Sequence, residues 1–392
     1  MYKPRDCELE LQQIDKHLSQ LEDSVRGKHV DPEKATKFVF RLYHRASITG
    51  SFAEFERAES VIDSLIATFG PKEDLCLLKA NLDFKFHRVA NAKRDLAMAP
   101  ALPGRSEGKA LLADILFQEG CYKEAAKAYE DLIAENRTWD NLARLAYFRS
   151  KMGDVPSAEQ LYLEAEDELT AKEMRSYAWL QLQRGVLDLT HGRYEDAWAH
   201  YTRADQAYSG FWQVEEHMAE LLAAQGEFDQ AIAFYERVLA RVPRPDFQQT
   251  LGELYAFMGE AAKAEPWFDK ALQGYLESVN AGHVHYYHHL TDFYTDVRPD
   301  AAEAVKWASK DIELRNNFGT QSGLAFALYS AGDVSGAIHF IDQALSSGVQ
   351  ESGLFALAAR IYRAAGRIPE GEKFLSKAAA INPHYENFHV HR

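Results

Sequence analysis

Glycines mark this chain at a near-constant interval. Gly120, Gly153, Gly192, Gly226, Gly259, Gly332 and Gly366 stand 33, 39, 34, 33, 73 and 34 residues apart. The 73-residue step holds two units, the middle one lacking the glycine, and Gly50 to Gly120 is again two units at 70 residues. A period of this size describes a stack of similar small units, each too small to bury its apolar face alone. Every unit has the same anatomy. A helical stretch of about a dozen residues precedes the glycine, which suits the left-handed residue that closes a helix, and a second amphipathic stretch follows. In QGEFDQAIAFYERV, Ala231, Tyr235 and Val238 lie five, nine and twelve residues after Gly226. Those offsets fall on one helical face. The small residue lets two antiparallel helices approach, and the aromatic fills the space between neighbouring units. Pro243 and Pro383 stop two of the second helices.

These landmarks resemble the tetratricopeptide repeat family. Ala113, Ala125, Tyr129 and Leu132 fit its small, small, aromatic and apolar landmarks in one unit, and Ala219, Ala231, Tyr235 and Val238 in another. Gly252, Ala264, Phe268 and Ala271 follow, then Ala325, Ala337, Ile341 and Ala344. The likeness spans roughly residues 35–383 and implies an all-α, right-handed solenoid of about ten antiparallel helix pairs. It departs from pattern at 36–103, where His87 replaces the glycine, and at 284–316, where the inter-helix turn reads VRPD. The expected organisation is a capping helix in residues 1–30, the array in 31–383, and a short tail in 384–392. The capping helix carries Leu9, Leu11, Ile14, Leu18 and Leu21 on or near one side, as the exposed end of a solenoid requires. Its alternative use is to join chains into a self-assembling scaffold or homo-oligomer.

Charge and cysteine content narrow the function. The formal net charge is −15 over 392 residues, which argues against a general nucleic-acid binder or a partner of anionic membrane, since both need a positive field. Cys7, Cys76 and Cys121 are odd in number and far apart, so a disulfide framework or thiolate zinc site is not indicated. No apolar leader and no run of about 18 apolar residues occurs, and a cytoplasmic protein is expected. Phosphate-binding, nucleophile-elbow, zinc-protease and calcium-loop signatures are missing. The expectation is a non-enzymatic scaffold or adaptor with no cofactor.

The family resemblance also implies a concave wall built mainly from first helices, and so names the residues that face a partner. In this sequence they are Gln213, Glu216 and Glu220, then Asp246, Gln249 and Glu253, then Arg360 and Arg363. The groove would be acidic in the middle and basic at its C-terminal end, ready for a peptide or helical segment of another protein. The run GHVHYYHHLTDFYTD extends it. Tyr287, Leu290, Thr291 and Tyr294 take packing positions, which leaves His285, His288 and Asp292 on the wall and His289 at the edge.

Four uses of those histidines stay open: surface residues without a role, peptide-reading groups, acid–base groups, or a metal-responsive site in which His285 and His289 stand one helical turn apart. A second feature is a cationic stripe, Lys34, Lys37, Arg41, His44 and Arg45. It reads either as a solvated face or as a site for an acidic segment. The lysine and asparagine clamp of chaperone adaptors in the family finds only Asn81 at a suitable position, with Ala110 and Asp114 in the next unit. The six tryptophans are expected between repeats, Trp179 alone reaching the groove.

Overall fold

One leading helix and ten antiparallel helix pairs make up the computed structural model, which describes residues 5–25 and 30–388. The leading helix is α1 (Asp6–Leu21). The pairs are α2 (Pro32–Thr49) with α3 (Phe52–Phe69), α4 (Glu73–Lys85) with α5 (Val89–Met98), and α6 (Ser106–Gln118) with α7 (Tyr122–Glu135). Next come α8 (Trp139–Lys151) with α9 (Val155–Asp167), α10 (Met174–Thr190) with α11 (Tyr194–Ala207), and α12 (Trp212–Ala224) with α13 (Phe228–Leu239). The series closes with α14 (Pro245–Phe257) and α15 (Ala261–Asn280), α16 (Tyr287–Asp292) and α17 (Ala301–Leu314), α18 (Phe318–Ser330) and α19 (Val334–Ser346), and α20 (Ser352–Ala364) and α21 (Ile368–Ile381). No strand occurs among the described residues. None of their helices is long and apolar enough to cross a membrane.

The periodic glycines do what their spacing requires. Gly120, Gly153, Gly226 and Gly259 take φ between 76° and 82°, the left-handed conformation that reverses the chain after a first helix. The landmark side chains are all inside: Ala113, Ala125, Ala219, Ala231, Ala325 and Ala337 are fully buried, as are Tyr235 and Ile341. Alanine against alanine brings the paired helices close enough for the ring on the second helix to wedge between repeats.

The repeats wind so tightly that successive superhelical turns touch. Asp6 N–H donates to Ser209 Oγ at 3.0 Å, 203 residues away. Asn317 Nδ2–H donates to the Gln118 carbonyl at 3.1 Å across 199 residues, and Phe318 N–H donates to Tyr122 Oη at 2.8 Å across 196. Lys151 pairs with Glu351, 200 residues on, beside a backbone bond from Gln350 N–H to the Lys151 carbonyl at 2.8 Å. A separation that stays near 200 residues means that one superhelical turn holds roughly six repeats. Contacts of this kind recur along the chain, so it forms a two-turn coil with a seam.

That seam changes the expected roles of both ends. α1 does more than cover the first pair: Cys7 and Ile14 join a core with Leu182, Tyr201, Phe211 and Met218 from the fifth and sixth pairs, while Leu9 stays 41% exposed. The C-terminal tail docks on the preceding superhelical turn. His384 stacks on Tyr194 with centroids 5.0 Å apart, Asn387 donates to the Ala224 carbonyl at 2.9 Å, and Phe388 is 2% exposed beside Trp212 and Phe247. Parts of the expected cap (1–4 and 26–29) and tail (389–392) lie outside the described residues. Trp198 departs from the expected core packing and is 39% exposed.

Candidate functional site

First helices α12, α14 and α16 carry the acids expected on the wall. Glu216 and Glu220 of α12 are buried, 4% and 5% exposed. Between them on the same helix, His217 Nδ1 pairs with Glu216 at 2.6 Å. Burial alone would lower the His217 pKa, but Glu216 and then Glu220 outweigh it and raise it to about 9. In α14, Arg244 holds Asp246 at 2.8 Å, and burial of that aspartate is overcome by Arg244 and His289, so its pKa is lowered. Glu253 accepts from Gln249 Nε2 at 2.8 Å, whose Oε1 accepts from Tyr275 at 2.9 Å. Asp292 closes the series. Burial first, then Asp296, Glu253 and Asp311, raise its pKa well above the carboxylate range.

Burial first raises the pKa of two inner tyrosines, Tyr235 and Tyr275, and several of these carboxylates add to it. Glu216, Glu220, Glu253 and Asp246 all act on the Tyr235 hydroxyl, and Asp246, Glu253 and Asp292 on that of Tyr275. Asp292 keeps surface open to water, although surrounding protein dominates its titration. His217 and Arg244 already pair with Glu216 and Asp246, so the repulsion left for a further cation to relieve is that at Asp292.

The histidine run folds differently from its pattern. α15 runs to Asn280 and Gly282 turns at φ 92°, so the next helix begins only at Tyr287. His285 therefore precedes the helix. Its ring stacks on Phe52 at 4.2 Å across the seam, and burial lowers its pKa to about 3. This corrects its expected place on the helical wall: it is a seam residue. His288 and Asp292 do share α16. His289 stacks on Tyr275 at 5.6 Å, so the two residues of the expected metal pair serve different rings. Among the described residues, no three His, Cys, Asp or Glu side chains gather as a metal ion would require. The helix ends in a π turn at Phe293–Val297, immediately before the rest of the VRPD turn that the sequence flagged.

The remaining candidates are scattered. Arg360 lies over Phe326 at 5.1 Å, and Arg363 is 3.6 Å from Glu372. In the cationic stripe, Lys34 is 3.9 Å from Asp31 and Lys37 is 2.6 Å from Glu33. Arg45 is 2.7 Å from Asp15 and also meets Glu54, and His44 is 2.8 Å from Glu10. Arg41 is exposed. α1 lays its acids along this stripe, which the stripe's own sequence could not show. Trp179 packs edge-on against Trp139 at 5.9 Å. Asn81 donates to the Leu77 carbonyl of its own helix. His217 and Arg244 were missed because both pair with an acid one or two positions away, a spacing that no repeat pattern marks.

Residues 188–254 match the family model for the tetratricopeptide repeat. That segment carries the tetratricopeptide repeat signature. In sequence no curated protein matches the chain. Among solved structures, the array is similar to a tetratricopeptide repeat protein from Parabacteroides merdae ATCC 43184, at 21% identity, TM-score 0.37, over 62% of this chain and 93% of that one. It is also similar to the human IFIT1 dimer with PPP-AAAA, at 12% identity, TM-score 0.47, over 93% and 94% of the two chains. Yeast Tom70 is 13% identical, TM-score 0.40, over 94% of this chain and 89% of its own.

Proposed function

We propose that this repeat array is a non-enzymatic scaffold that holds a basic, extended segment of a partner protein against its inner wall. The reading rests on the placement of Glu216, Glu220, Asp246, Glu253 and Asp292 on three successive first helices, α12, α14 and α16. Asp292 and its neighbours Asp296 and Glu253 are the open end of that series. A lysine or arginine placed among them replaces carboxylate repulsion with charge-assisted hydrogen bonds. Rigid helices lose little freedom when they bind, so the cost of ordering falls mainly on the peptide. His288 adds a donor or acceptor on the same helix, while Arg360 and Arg363 form the basic end that would meet acidic groups of the same partner.

The test is titration of a labelled, unstructured lysine- and arginine-rich peptide into the wild type and into a Glu253→Gln/Asp292→Asn variant. Both substitutions keep side-chain shape while removing charge. The expected result is at least about tenfold weaker binding, since a lost charged contact contributes about 1.5–3 kcal/mol. Binding at low pH should release protons, because a bound cation lowers the Asp292 pKa. Equal affinity for both proteins would remove the acidic wall from the account.

A further inference from the structure

A second cavity sits on the seam with the opposite charge. It has a volume of about 150 Å³ and is lined by Phe84, Lys85, His87, Val89, Gln118 and Arg315. The first four come from the end of α4 and the turn into α5, and Gln118 ends α6. Arg315 follows α17 on the next superhelical turn, so the cavity exists only because the coil closes.

Its polar groups are all able to donate. Lys85 lies over the Phe55 ring at 5.2 Å and forms no ion pair among the described residues, and the charge that acts on it is Arg244. Burial first lowers the His87 pKa, and Arg315, His285, His289 and Lys85 lower it further. Nδ1 of His87 is buried without a hydrogen bond. Gln118 Oε1 accepts from Asn317 at 3.0 Å, which leaves its Nε2–H₂ free. Asp311 is the carboxylate beside this group, and both its oxygens are occupied by Arg315 Nε and Nη2 at 3.2 Å. Nη1 of Arg315 remains.

The backbone singles out the same place. His87 has φ 61° and is the one non-glycine residue with positive φ among the described residues. At the corresponding turn the other units place Gly50, Gly120, Gly153, Gly192, Gly226, Gly259, Gly332 and Gly366. An imidazole there is held at the expense of backbone strain, and strain of this kind collects where a side chain has a task.

We propose that this cavity is an oxyanion seat that takes one phosphate-sized group, as inorganic phosphate or as a phosphomonoester on a bound protein. The volume decides the size: it is about half the lower end of the 300–1,000 Å³ typical of sites for whole small molecules, yet ample for a single tetrahedral oxyanion. Lys85, His87, Gln118 and Arg315 supply donors from both turns, and bonds from cations to phosphate oxygens are the stronger kind. Occupancy would cross-link the two turns of the coil. This reading is independent of the acidic wall and needs no basic peptide.

Calorimetric titration with inorganic phosphate, and separately with N-acetyl-O-phosphoserine amide, tests it at constant ionic strength set by chloride. The proteins are the wild type, Lys85→Gln, His87→Gly and Glu253→Gln. His87→Gly installs the residue that the other units use, so it folds and separates loss of binding from loss of structure. Saturable binding to the wild type is expected, weakened at least tenfold in Lys85→Gln and His87→Gly and unchanged in Glu253→Gln. Binding of inorganic phosphate alone would assign a free anion, and binding of the phosphoserine amide a modified partner. No binding above the chloride background, or equal affinity in the Lys85 and His87 variants, would overturn the proposal.

Discussion

Replacing Gly120 with alanine should cost far more stability than the same change at Gly226, although both residues do the same local job. Each closes a first helix with positive φ, 76° and 82°. A side chain in that conformation costs roughly 1–2 kcal/mol at either site. The difference lies across the seam. A Cβ on Gly120 would stand 2.5 Å from the carbonyl oxygen of Asn316 on the next superhelical turn, whereas nothing lies within 4 Å of one on Gly226. The turns would have to part by roughly 1 Å to restore ordinary contact. Three hydrogen bonds span that point: Asn317 to the Gln118 carbonyl and to its Oε1, and Phe318 N–H to Tyr122 Oη. At about 0.5–1.5 kcal/mol each, their loss adds about 2–4 kcal/mol to the Gly120 variant alone. Urea unfolding of both variants measures the difference, and hydrogen exchange at the Phe318 amide locates it. Equal destabilisation with an unchanged Phe318 exchange rate would refute a closed coil.

Three further outcomes follow from particular side chains. The pKa of Asp292 is raised in the folded chain, so charging it opposes folding as pH rises above about 4. Asp292→Asn should therefore be more stable than the wild type at pH 7–8 in thermal melts, with the gap closing towards pH 4. The opposite sign holds for His217, whose pKa is raised to about 9. Its contribution is full below about 6.5 and fades as pH passes 9. His217→Gln should cost about 3 kcal/mol at pH 6 and much less at pH 10, in paired denaturation curves. Phe388→Ala should cost about 3 kcal/mol, near the low end for a buried phenylalanine, by the same assay. A loss below about 0.5 kcal/mol, the scale of ordinary surface changes, would mean that the tail does not dock.

The sequence made repeat architecture legible because each landmark reports on a neighbour within about 34 residues. Gly226, Ala231 and Tyr235 encode one turn, one close helix contact and one wedge, and the structure contains all three. The acids of α12 stood out by the same register, although the structure buries Glu216 and Glu220. The seam was not legible. Superhelical closure sums a small rotation per repeat over about six repeats, and no single unit encodes that sum. Tyr122 gives no local hint of Phe318, nor Lys151 of Glu351. The misplacement of His285 has the same origin: its spacing to His288 is helical, but the turn after Gly282 lays its ring against Phe52 of the other turn. His87 was visible as a missing glycine, while its cavity required Arg315 from across the seam.

The central claim is that a partner's basic segment lies along the inner wall. A lysine- and arginine-rich peptide carrying a benzophenone group, photo-cross-linked to the full chain and mapped by mass spectrometry, tests that directly. Saturable adducts are expected within 213–220, 246–253 and 287–296, and are lost in Glu253→Gln/Asp292→Asn. Adducts concentrated on second helices such as α13 and α15, or spread without saturation, would contradict it.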